Sequence, residues 1–212
     1  MSAAPSGAQA LLSSVDRHDL SRIGAFSDGV MAVAITLLVL NIEPPTVSND
    51  DLPDALVDLI PSLGAYVLSF ALVGRYWVIH HGLFATFVRF DGVLLALNLA
   101  FLALIALVPF ATNLIDDYST VPLAAAVFGA ILGLAALVHW LMTLHARRAD
   151  LVHEHLRGET SRLGSTVALG FAILCFLSVP VAFLSPTLAW LMWASLLVLR
   201  YPLRKVSRWV ER

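Results

Sequence analysis

Cysteine is nearly absent from this sequence, and charge is scarce. The lone Cys175 sits inside an apolar run, which excludes an intrachain disulfide framework and leaves a small buried hydrophobe as its ordinary reading. Only 13% of the 212 residues are charged against 59% hydrophobic, and the mean hydropathy is +0.84. A soluble domain carries roughly a quarter charged residues and about 45–50% apolar ones. A water-soluble fold of this length therefore has too little polar surface to cover its apolar mass, and lipid is the solvent that removes the imbalance. Catalytic signatures are missing as well. There is no Gly-rich phosphate loop, no GxSxG elbow, no HExxH helix, no paired cysteines and no pair of carboxylates in a catalytic setting. Nothing asks for an enzyme, a metal centre, a cofactor or a nucleic-acid partner. Residues 1–9 carry no positively charged region, the first long apolar run starts only near Ile23, and Glu43-Pro44-Pro45 rather than a small-residue cleavage site follows it. That run is expected to be a retained helix rather than a leader.

What is present is a series of apolar segments near the roughly 20 residues that cross a bilayer. They cover residues 22–42, 56–80, 93–114, 121–144, 163–184 and 187–203. The expectation is an all-α membrane protein, a single six-helix transmembrane domain over residues 1–212 in contact with membrane lipid. Basic residues then set its orientation, because they collect on the cytoplasmic side. Arg17 and Arg22 lie in or near the N-terminal tail, Arg75 and Arg89 near the second connection, Arg147, Arg148, Arg157 and Arg162 in the fourth. Arg200, Arg204, Lys205, Arg208 and Arg212 close the chain. The opposite connections hold Glu43, Asp50, Asp51, Asp116 and Asp117 and no basic residue. Six spans with both termini in the cytoplasm, in a cell membrane, satisfy this segregation.

Ionisable groups inside a span are costly and are functional candidates by default. Arg22, Asp28, Arg75, His80, His81 and Asn98 all fall at similar depth once the spans alternate. Two readings stand: a hydrogen-bonded clasp that fixes helix packing, and a proton relay or ion site. The adjacent rings of His80 and His81 point in different directions, so they do not make a metal pair. His153 and His155 read as a hydrated loop, and His139 as an interfacial or hydrogen-bonded side chain.

The first helix has two faces. At about 100° per residue, Phe26, Val30, Val33, Leu37, Leu40 and Pro44 form one stripe, flanked by Gly29 and Thr36, and Asp28 falls nearly opposite, near Ile35 and Val39. The polar side should face its own subunit. Periodicity alone leaves the stripe as helix packing, lipid contact or something more specific.

The run Arg22-Ile23-Gly24-Ala25-Phe26-Ser27-Asp28 resembles the RxxxFSD signature of the transmembrane protein 175 family of potassium channels, and Gly29 to Leu40 looks like its prokaryotic members. Trp77, His80-His81, Asn98, Leu107-Val108-Pro109-Phe110 and Thr112 extend the likeness. The resemblance implies a homotetramer conducting potassium and other monovalent cations, with helix 1 of each subunit lining a central pore. Carried onto this chain, hydrophobic constriction rings fall at Val33, Leu37 and Leu40, with Thr36 as a polar contributor beside them. Family members often have isoleucine where Val33 stands, so which ring is narrowest stays open. Arg22, Phe26, Ser27, Asp28, Trp77, His81 and Asn98 would form the structural polar network that holds helix 1. Glu43, Asp50 and Asp51 either concentrate cations at the mouth or form a solvated loop. The competing reading is a proton-coupled secondary transporter that uses Asp28 and His81.

Overall fold

Proline sits in the first turn of five helices of the computed structural model, which describes residues 7–153 and 159–198. The first turn is where a missing N–H costs nothing, because that donor has no intrahelical partner. The helices are α1 (Gly7–Leu37), α2 (Leu52–Asp58), α3 (Ile60–Phe84), α4 (Gly92–Ala106), α5 (Val108–Asp117), α6 (Pro122–Arg148), α7 (Glu159–Leu184) and α8 (Pro186–Val198). A 3₁₀ turn, Leu38–Asn41, continues α1. Among the described residues four stretches are long and apolar enough to cross a membrane: Leu20–Asn41, Ile60–Phe84, Gly92–Asp117 and Pro122–Arg148. Ala168–Leu184 and Pro186–Leu197 are shorter apolar helices. The expected sixth span runs to 203, past the described residues. His155, Arg157, Arg200, Arg204, Lys205, Arg208 and Arg212 also lie outside them.

The architecture differs from the hydropathy reading at two places. The acidic connection after α1 contains a short helix, α2, and α3 begins only at Ile60. The third apolar stretch is broken into α4 and α5. Pro109 has no N–H to give to the Ile105 carbonyl, and its ring crowds that turn. Leu107 N–H turns instead to the Leu104 carbonyl at 3.2 Å, and Ala111 N–H restarts the ladder on the Leu107 carbonyl at 3.1 Å.

α1 packs on α3 and α4, while α6 runs through the middle against α4, α5 and α7. The α6–α7 contact depends on Gly129. A Cβ there would sit 2.5 Å from Ser178 Oγ and 3.4 Å from the Cys175 carbonyl. Ser178 already donates to the Cys175 carbonyl (2.6 Å) and accepts from Trp193 Nε1 (2.9 Å), which ties α8 to the same point. Trp193 also packs on Phe128, with ring centroids 4.7 Å apart.

At the far end of α6 the chain is locked to the connection before α4. Asp150 adopts a left-handed conformation (φ 55°), and Leu151 N–H reaches back to the Ala146 carbonyl at 2.9 Å. This is a Schellman closure with aspartate where glycine is commoner. The strand-like segment that follows pairs with the α3–α4 connection. Phe87 bridges Val152, Val88 N–H donates to the Leu151 carbonyl (2.8 Å), and His153 N–H donates to the Thr86 carbonyl (3.0 Å). Asp91 caps α4 by accepting from Leu94 N–H at 2.7 Å, and its second oxygen meets His145 Nε2 at 2.7 Å. Partial burial pushes the Asp91 carboxyl up. The Leu94 amide, the His145 ring and the Val93 amide outweigh that and hold it below its ordinary 3.8.

Two tests follow from this packing. Gly129→Ala should lower the thermal midpoint of the detergent-purified protein, since overpacking of this kind costs about 1–3 kcal/mol. Gly170→Ala, where nothing lies within 4 Å, should leave the midpoint level or raise it. For Asp91 the folded carboxyl is the stronger acid, so its contribution is complete above the ordinary carboxyl value and fades as pH falls through the folded one. Asp91→Asn keeps an N-cap but loses the charge. Its deficit in midpoint relative to the parent should be present at neutral pH and vanish on acidification below about pH 4. A deficit independent of pH would assign the effect to the cap alone.

Candidate pore-lining helix

A buried seam on α1 runs Ser27, Met31, Ala34, Leu38, at intervals of four, three and four residues, each at most 2% exposed. That spacing is one face of an α-helix. In lipid there is no hydrophobic drive to hold helices together, so packing and interhelical hydrogen bonds must do it. The seam supplies both.

The bonds begin at Ser27, and their direction is forced. Ser27 Oγ donates to the Ile23 carbonyl of its own helix at 2.9 Å. Having spent its proton, it accepts from Asn98 Nδ2 on α4, also at 2.9 Å. The Asn98 amide is thereby oriented, and its Oδ1 faces His80 Nε2 on α3 at 2.8 Å. A carbonyl oxygen only accepts, so the proton of the imidazole sits on Nε2. Around this buried relay His80 stacks on Phe84 and on Phe101, with ring centroids at 4.3 and 5.1 Å. One residue on from Ser27, Asp28 turns to α3 instead and accepts from Trp77 Nε1 at 2.8 Å. Consecutive residues of α1 thus engage two different helices.

The sequence-expected network is placed unevenly. Ser27, Asp28, Trp77 and Asn98 are bonded as described. His81 is exposed and stacks on Trp77 with centroids 5.4 Å apart, while His80, its neighbour, takes the buried position. The period of α3 contains the clue: Ser69, Val73, Tyr76 and His80 share one buried face, and His81 is about 100° off it. Phe26 and Arg22 are exposed and make none of these bonds. His139, expected to be interfacial or hydrogen-bonded, is buried, and its Nε2 has no hydrogen-bond partner among the described residues. It lies inside because α6 is the central helix, with four others packed around it. Arg75 stands with its guanidinium carbon 5.5 Å above the Phe171 ring.

On the other side of α1, Phe26 is 55% exposed, Val33 56%, Leu37 41% and Leu40 71%. Gly29 and Thr36 are exposed beside them, and Val30 is half-buried. Thr36 Oγ1 donates back to the Val33 carbonyl at 2.8 Å. Its proton is used within the helix, so the hydroxyl presents only lone pairs outward. From Val33 to Leu40 the stripe is therefore an exposed apolar face interrupted by one acceptor oxygen, while Val30 packs against the core.

The connection from this stripe to the rest of the subunit had no sequence signal. At Leu38 the winding tightens to 3₁₀, and Asn41 at its end donates from Nδ2 to the Pro109 carbonyl at 3.0 Å. Only the third dimension brings residues 68 positions apart together.

Residues 22–109 match the family model described as "Endosomal/lysosomal potassium channel TMEM175". A potassium channel of Streptomyces collinus is 33% identical over 180 residues, spanning 77% of this chain and 86% of that one. One of Chamaesiphon minutus is 39% identical over 141 residues, 64% of this chain and 70% of its own. Among solved structures, the crystal structure of a lysosomal potassium-selective channel TMEM175 homolog from the same organism superposes with a TM-score of 0.70 at 31% identity. It covers 85% of this chain and 95% of that one. The anchored, two-faced part of α1, from residue 22 on, lies inside the matched region, and the chain belongs to the TMEM175 family of ion channels, with the prokaryotic members rather than with any enzyme.

Proposed function

We propose that this chain is one quarter of a potassium-permeable cation channel, a homotetramer whose four α1 helices line a central pore. The observation that carries the reading is the division of α1. Its seam of Ser27, Met31, Ala34 and Leu38 is buried, with Ser27 bonded inward, and its stripe of Val33, Leu37 and Leu40 is left exposed by its own subunit. Four copies around an axis turn each stripe residue into a ring. Six spans, both termini in the cytoplasm of a plasma-membrane protein, complete the topology on the charge segregation of the sequence.

Permeation then follows from what the rings lack. A ring of valine or leucine offers no oxygen to replace hydration water, so a cation crosses partly dehydrated or after the ring widens. Potassium holds its water less tightly than sodium, which favours it. Closure is dewetting of the same rings. Thr36 adds acceptor oxygens next to Val33. Glu43, Asp50 and Asp51, all exposed, sit beyond the outer end and raise the local cation concentration. The family's channel chemistry calls for no cofactor. The Ser27–Asn98–His80 relay and the Asp28–Trp77 bond position α1 and do not touch the ion.

The carrier alternative has one observation in its favour, the break at Leu107–Pro109 in the third apolar stretch. Transporter sites are commonly built from a pair of broken helices, and here Asp28 is already engaged by Trp77.

Reconstitution in liposomes with paired potassium and sodium flux assays separates the readings. A channel should pass potassium down its gradient without a proton gradient. Saturable, proton-driven uptake at low turnover would favour the carrier. Leu37→Asn and Val33→Asn should change flux or the potassium-to-sodium ratio by on the order of tenfold, equivalent to about 1.4 kcal/mol of barrier. Unchanged flux in both would remove the stripe from the pore. Chemical crosslinking of the purified protein should build to a four-chain species, and a ladder ending at two chains would contradict the assembly.

A further inference from the structure

The 3₁₀ turn at the end of α1 has no explanation in the polar relay, which lies three to four helical turns earlier. An α-helix turns about 100° per residue and a 3₁₀ helix about 120°. The change of winding at Leu38 therefore decides where the last residues of the stripe point. Leu38 is buried, and Leu40, two residues on, is 71% exposed and is the most exposed member of the stripe. Short 3₁₀ segments have poorer hydrogen-bond geometry than α-helix and persist when something beyond the segment holds them. Two contacts do so here. Leu38 is packed into the core where the turn meets α3 and α5. Asn41 closes the turn by donating Nδ2 to the Pro109 carbonyl at 3.0 Å. That acceptor sits in the first turn of α5, at the proline break. Farther along the same helix, Thr112 Oγ1 lies 2.9 Å from both the Val108 carbonyl and Ser69 Oγ, which fixes α5 to α3. The partner of Asn41 is thus itself held in place.

We infer that Asn41 is a positioning residue: its bond to the Pro109 carbonyl sets the winding of the Leu38–Asn41 turn, and through it the direction of the Leu40 side chain at the outer end of the pore. The bond lies at the edge of the membrane-spanning stretch and is half-exposed, so it can open without unfolding the subunit. Opening it releases the turn to rewind, and Leu40 swings while Val33 and Leu37, within the α-helical part, keep their places. This rests on the proposal that the α1 stripe lines a pore. The test is arranged so that failure of that reading and failure of the inference look different.

Leu40→Cys and Val33→Cys are placed singly in the parent chain, whose one cysteine, Cys175, is buried. Each is treated in liposomes with a charged methanethiosulfonate reagent while potassium flux is followed. If the stripe lines the pore, modification at either position blocks or alters flux. If neither does, the pore reading fails and the inference falls with it. Asn41→Leu, which keeps size and removes the donor, is then added to each. Loss of one hydrogen bond of ordinary net strength shifts a two-state population about fivefold. The modification rate of Leu40→Cys should therefore change by about that factor, while that of Val33→Cys stays at its value with Asn41 intact. Asn41→Gln, which retains an amide donor, should return the Leu40→Cys rate towards the parent. Equal rates at Leu40→Cys with and without Asn41→Leu, in a variant of unchanged assembly, overturn the inference even though the pore reading survives. So does an equal shift at Val33→Cys, which would mean general loosening. Should Asn41→Leu fail to assemble, Asn41→Ala and Asn41→Asp provide the same comparison.

Discussion

The hydroxyl proton of Ser27 has one acceptor, the carbonyl four residues back, and much of the subunit's order follows from that. Once the proton is committed, Ser27 can only accept. Asn98 must therefore present its amide nitrogen, and His80 must carry its proton on Nε2. Three helices are bound in one direction, with no member able to reverse its role alone. In an aqueous core such a relay would add to a large hydrophobic term. Between helices in lipid that term is missing, and each interhelical bond of about 0.6–2 kcal/mol is a sizeable part of what holds α1 in register. The Asp28–Trp77 bond works beside the relay from the adjacent position. A change of register by one residue would break both at once, because Ser27 and Asp28 address different helices.

The same logic of satisfied polar groups explains the ends of the helices. In five helices proline sits in the first turn, where its missing donor is harmless; at Pro109 that turn is the restart of a broken stretch, and Pro180 stands inside α7. A carbonyl exposed at the end of α6 is claimed by Leu151 in the Schellman closure, and Asn41 adds a side-chain donor to the Pro109 carbonyl in the first turn of α5. Asp91 does double duty, since its two oxygens serve the α4 N-terminus and His145. None of these contacts is large.

Much of the all-helical architecture was legible in the sequence, because apolar runs near twenty residues and the sorting of basic from acidic connections are properties of composition. The interruption at Pro109 was not, since averaging over a window dilutes one proline among leucines and alanines. The two-faced character of α1 was legible from its wheel, but the wheel put Asp28 at the centre of the inward side. In the structure the inward seam is centred on Ser27, Met31 and Leu38, and Asp28 sits at its edge. His80 and His81 could not be told apart as a pair. The distinction lay in the run Ser69, Val73, Tyr76 leading up to them, where small and aromatic residues share His80's face. Asn41 had no local signal, because its partner is a backbone carbonyl, which every residue has.

Val33, Leu37 and Leu40 are exposed within their own chain, and this separates two kinds of selection. They can be exchanged for other apolar side chains with little loss of packing and no stranded donor in the subunit that carries them. A lineage can therefore drift at these positions while Ser27, Asn98 and His80 stay constrained by one another. Divergence in permeation should accordingly be concentrated on one side of a single helix.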